Sequence, residues 1–236
     1  MAQAGGPPAV AAGSGRRPFS KEADRGPGPW GASMTPSEQR QLASIRAELS
    51  RLIRYDDESI VHDTWARQRY DCGCFPGLMA ARGATVAAAW HEAGHALAAL
   101  DVGAHFSSAS IHHGCTAEGR VHGISGAGDL AFVIDAAGQI AERLMRWTML
   151  ERDDDLRAWL ATWRGDGGDA RRFRRALGPR FGGDELRAWR YSEQRLVPLR
   201  LRIARVARAL LVHPRYLPYN VVLAIAAHDP AQRRGP

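Results

Sequence analysis

The stretch 84–100, ATVAAAWHEAGHALAAL, is the most apolar in the chain, yet His91, Glu92 and His95 sit at its centre. Strong helix formers dominate it and no proline interrupts it, so a largely buried helix is predicted over 84–101, with Gly103 as its stop. Four residues advance a helix by slightly more than one turn, which puts His91 and His95 on one face, one above the other. Two imidazoles and a carboxylate are costly to bury unless something organises them. A metal ion does this: the two histidines of H-E-x-x-H can hold one Zn2+, each nitrogen at about 2.0–2.1 Å. Zinc lowers the pKa of water to about 7, and Glu92 stands beside the first ligand, placed to accept that proton and return it to a leaving nitrogen. The competing interpretation is a helix whose histidines make ordinary hydrogen bonds in a core.

Around this helix the chain reads as mainly α with a small β-hairpin. Residues 1–34 are rich in Gly, Pro, Ala and Ser and are expected to be a disordered tail. Thr35-Pro36-Ser37-Glu38 combines an N-cap hydroxyl, a proline at the first helical position and a capping-box glutamate. Leu42, Ile45, Leu49, Leu52 and Ile53 then recur at helical spacing to about Arg54. A second helix is expected over 57–70 and a loop over 71–83, so 35–83 forms a helical extension and loop ahead of a domain at 84–228. Residues 105–113 and 119–124 suggest the two strands of the hairpin. Asp129 opens a long helix with an apolar stripe from Leu130 to Leu144. Helices follow over 153–163 and 170–177, then one long helix over 184–212 with a kink at Pro198, then a short one over 218–227. Residues 229–236 are expected to be a disordered end.

Charge and cysteine content narrow the setting. The net charge is +7, and Lys21 is the only lysine. The arginines are spread along helices and not gathered in one block, which favours solvated faces and makes nucleic acid an unlikely partner. Arg187, Arg190, Arg195, Arg202 and Arg205 are the candidates for the opposite case, an anionic surface. Three cysteines, Cys72, Cys74 and Cys115, are an odd number, and C-x-C is not the usual spacing of a structural zinc site. Free thiols in a reducing compartment are expected, hence a cytoplasmic location. The first residues lack a basic start followed by an apolar core, so no signal peptide is expected. No run approaches the roughly 20 apolar residues of a membrane span.

Residues 88–97, AAWHEAGHAL, resemble the active-site helix of the FtsH-type zinc metallopeptidases. The likeness continues in order through 111–123, IHHGCTAEGRVHG, similar to the strand, turn and strand of that family. It extends through 137–144, AGQIAERL, similar to its GGRAAEEL helix, and 165–176, similar to its glycine-rich turn and aspartate-led helix. The resemblance implies a zincin-like helical metallopeptidase domain with one Zn2+ per chain. It implies that His91 and His95 are metal ligands, Glu92 the catalytic glutamate and Asp169 the third metal ligand. Asp166 and Glu142 are the alternative ligands; Glu142 also suits a role orienting a histidine through its free ring nitrogen. His112, His113 and His122 fall on the hairpin; they read as surface histidines, with a place at the border of the cleft as the alternative. An edge strand beside such a cleft could bind an extended substrate as an added strand.

The chain departs from that family in one large respect. It contains no G-x-x-x-x-G-K-[ST] loop and no membrane helix, the two features that accompany the peptidase there. The expected protein is a zinc endopeptidase without its own ATPase, acting on peptides or unfolded protein, alone or with a separate ATPase partner, as a monomer or homo-oligomer. The alternative is a catalytically silent zinc-binding interaction or regulatory domain of the same fold. The segment ERDDDLRAWLATWRGDGG replaces the family's threonine-containing turn, and the helix from Thr35 has no counterpart there.

Overall fold

A computed structural model of the chain describes residues 34–52, 78–112, 118–146, 148–163, 168–213 and 216–227. The tail, the helix expected over 57–70, the three cysteines, His113, Asp166 and residues 229–236 lie outside the described residues. The described residues belong to one compact unit.

Helix α1 (Pro36–Leu52) starts where its capping box requires. The Glu38 N–H donates to Thr35 Oγ1 at 3.2 Å, and the Thr35 N–H donates to Glu38 Oε2 at 2.7 Å. Its Leu42 and Ile45 are buried. The Gln41 amide donates to the Tyr216 carbonyl at 2.7 Å, which ties α1 to the C-terminal segment.

Helix α2 (Leu78–Asp101) carries the H-E-x-x-H motif and begins six residues before the expected start. Residues 78–83, expected to be loop, are helical because the lone Gly83 costs only about 1 kcal/mol in a helix interior and does not break it. Gly103, at φ +75°, ends the helix in the left-handed conformation that glycine adopts without strain. Strands β1 (Ser108–His112) and β2 (Glu118–His122) form the antiparallel hairpin against α2. A third strand, β3 (Leu217–Pro218), pairs with β1, so the sheet runs β2-β1-β3. Two residues are too few to show alternation, so nothing in the sequence announces β3.

A 3-10 turn (Gly128–Leu130) leads into α3 (Ala131–Arg146), one side of which is buried against α2. The approach is close. A Cβ on Gly94 of α2 would lie 2.5 Å from the Ala137 carbonyl oxygen of α3. The chain continues through α4 (Asp153–Thr162), α5 (Asp169–Ala176), α6 (Gly178–Phe181), α7 (Glu185–Leu196), α8 (Arg200–Val212) and α9 (Tyr219–Ala226). The helix expected over 184–212 is divided at Pro198 by a 3-10 turn, Val197–Leu199. Proline lacks an N–H and clashes with the preceding turn, and here the result is a break between α7 and α8.

The short helix α5 is held from several sides. Arg174 donates to the Leu160 and Trp163 carbonyls at the end of α4, at 2.8 and 3.1 Å, and to Glu185 Oε1 at 2.8 Å. Phe173 packs among Trp163 and Trp189, with ring centroids 5.5 and 6.1 Å away. These contacts fix the start of α5, and hence Asp169, against α3.

Candidate metal centre

His91 and His95 project from one face of α2, their ring centroids 4.6 Å apart. Asp169, the first residue of α5, meets them from the far side of the sequence. Its Oδ2 lies 3.1 Å from His91 Nε2 and 3.3 Å from His95 Nε2. One ligand atom from each of the three residues falls within 4.8 Å of the others, so this group could hold a metal ion. The spacing suits one: donors about 2.0–2.1 Å from a tetrahedral ion stand roughly 3.3 Å from each other.

Ring orientation suits it as well. The His95 Nδ1–H donates to the Ile134 carbonyl at 2.6 Å, and the His91 Nδ1–H donates to Glu142 Oε1 at 2.8 Å. Each bond occupies Nδ1 and leaves Nε2 as the ring nitrogen aimed at Asp169. Glu142 itself stands behind His91, on the side away from Asp169. Gly138 leaves the room that the His91 ring occupies: a Cβ there would lie 2.4 Å from His91 Nε2. The four positions of α3 involved, Ile134, Asp135, Gly138 and Glu142, share one side of that helix. Helix α3 thus supplies no member of the His-His-Asp group, yet it faces all three.

Glu92 is only 5 % exposed and lies against β2, where a Cβ on Gly119 would fall 2.3 Å from Glu92 Cγ. Burial pushes its carboxyl above the ordinary glutamate value, against the nearby His95 and His91. Burial disfavours the His91 imidazolium, but the Asp169 and Glu142 carboxylates outweigh it and raise His91 to about 10. For Asp169 burial acts upward, and its hydrogen bonds to His91 and His95 prevail, holding it well below the usual carboxylate range.

These groups open onto a cleft of about 740 Å3 whose other wall is β2, from Glu118 to Val121. His112 and His122 are exposed and do not line it; His122 Nε2 lies 3.2 Å from Ser110 Oγ. Helix α1 packs on α8 and α9 and contributes nothing to the cleft. Sequence reasoning missed Asp135, Gly138, Gly119 and Arg172. Of these only Arg172 left a trace, an arginine three residues after Asp169 on the same helix face. Of the arginines considered for an anionic surface, Arg190 bonds Asp153 and Glu193, and Arg195 bonds Asp101. These bonds answer their charge from within the chain.

Fold and site together define a mainly helical domain with a three-stranded antiparallel sheet and a buried His-His-Asp group able to hold a metal ion. No helix among the described residues is long and apolar enough to cross a membrane. Comparison with protein families, with curated proteins and with solved structures finds no match.

Proposed function

We propose that this chain is a zinc-dependent peptidase, with His91, His95 and Asp169 as metal ligands and Glu92 as the general base. The observation that carries this is the convergence of two oriented imidazoles and one carboxylate beside a buried glutamate at the wall of an open cleft. A site that only binds metal has no use for Glu92, whose burial is costly. A divalent cation held there supplies Lewis acidity toward a carbonyl and toward water. Glu92 accepts a proton from water as its oxygen bonds to the peptide carbonyl carbon. It passes that proton to the amide nitrogen as the C–N bond breaks, which leaves an acid and an amine. Glu142 orients His91, and the Ile134 carbonyl orients His95. The resemblance of 88–97 to the FtsH-type active-site helix supports the same assignment. Peptides and unfolded protein are the substrates proposed.

The test is metal content and cleavage measured together. The wild type is expected to bind about one equivalent of zinc and to cleave an unfolded protein. Asp169→Ala should lose the metal. Glu142→Ala should weaken it about 10- to 100-fold, the usual effect of removing a group that orients a ligand. Glu92→Gln should keep the metal and lose cleavage by a factor on the order of 10² to 10⁴. Zinc-loaded wild type that cleaves no unfolded substrate would reject the peptidase and leave a metal-binding regulatory domain.

A further inference from the structure

Two oxygens of one carboxylate do different things at this site. Asp169 Oδ2 faces the two imidazoles, while Oδ1 is taken by an NH2 group of Arg172, one turn further along α5. The same guanidinium reaches across to α3, where its Nε–H donates to Asp135 Oδ1 at 2.9 Å. Arg172 therefore bridges the helix that carries Asp169 and the helix that orients both histidines. Asp169 is 7 % exposed and the Asp135 side chain 13 %, so the bridge is far from an ordinary surface ion pair even though Arg172 is half-exposed.

We propose that Arg172, held by Asp135, is a positioning residue that fixes Asp169 as a one-oxygen metal ligand. This rests on the metal site proposed above and deepens it. An aspartate at a helix start, even with its backbone fixed, has a side chain free to offer either oxygen or both. The guanidinium removes that freedom. With Oδ1 engaged, Oδ2 alone is left for the ion, and the fourth coordination position stays open for water or substrate. The planar fork matters, because Nε and NH2 serve two carboxylates on different helices at once, and a lysine ammonium has no such fixed geometry. Asp135 touches no ligand; it acts through Arg172.

Zinc affinity of the full chain, measured by titration against a competing chelator, tests this, with the absorption spectrum of the Co2+-loaded protein as second readout. Arg172→Ala should bind zinc about 10- to 100-fold more weakly than wild type. Its Co2+ bands should lose intensity as both Asp169 oxygens reach the ion and the coordination number rises. Arg172→Lys should restore the charge without restoring the spectrum. Asp135→Asn should weaken zinc in the same direction by less, and Arg172→Ala/Asp135→Asn should be no weaker than Arg172→Ala. Wild-type affinity and spectrum in Arg172→Ala would overturn the proposal. So would additive effects of the two substitutions, which would make Asp135 independent of Arg172. Should Arg172→Ala fail to fold, Arg172→Lys and Asp135→Asn still decide, since wild-type spectra in both would overturn it. A wild type that binds no metal would overturn the site itself, a result distinct from any variant's failure.

Discussion

At the scale of single residues, glycines shape the site as much as His91, His95 and Asp169 do. Gly138 leaves room for the His91 ring and Gly94 lets α2 lie on the α3 backbone, so replacing each with alanine separates two kinds of damage. Gly138→Ala is expected to displace the His91 ring and weaken metal binding while the protein still melts cooperatively. Gly94→Ala drives a methyl into the Ala137 carbonyl, where no side chain can move aside, and should cost about 1–3 kcal/mol in a thermal melt. His91, Glu92 and His95 were legible in the sequence because one helix turn relates them. Asp169 was reached only through family resemblance, since nothing local distinguishes it from Asp166. Gly138 and Arg172 acquire meaning only when α3 and α5 meet α2, and no pattern along the chain records that meeting.

Among the elements, α1 was the most legible, because a capping box is written in four consecutive residues. Thr35→Ala removes the hydroxyl that accepts the Glu38 N–H and should destabilise α1 by about 1 kcal/mol, seen as faster amide exchange in its first turn. Glu38 adds a pH dependence of definite sign. The Thr35 backbone N–H holds its carboxyl below the ordinary 4.5, so the folded state binds that proton less readily than the unfolded one. Its contribution is complete above that ordinary value and is lost as pH falls through the lowered one. Protection of the first-turn amides of α1, taken relative to their intrinsic exchange rate at each pH, should therefore fall on acidification in the wild type and much less in Glu38→Gln. Helix ends were the poorer part of the reading. The early start of α2 and the division of the 184–212 helix both depend on how much one glycine or proline costs against the packing around it.

For the molecule as a whole, the order β2-β1-β3 leaves β2 at the sheet edge, and that strand is also a wall of the cleft that holds His91, His95 and Asp169. An extended peptide added beside β2 would have its backbone drawn along the His-His-Asp group. With Glu92→Gln, which should bind without cutting, a saturating unfolded peptide is expected to slow amide exchange at Glu118–His122. Exchange in α1, which lines no part of the cleft, should not change.

Helix α3 has a consequence for how relatives of this chain would be recognised. The positions on the side of α3 that faces the His-His-Asp group, Asp135, Gly138 and Glu142, form the pattern D-x-x-G-x-x-x-E, and none of them belongs to H-E-x-x-H. A chain can acquire H-E-x-x-H by accident; it is far harder to acquire this second stripe at the right distance downstream. The pair of patterns together is a stricter fingerprint than either alone, and it marks chains whose histidines are aimed as well as present.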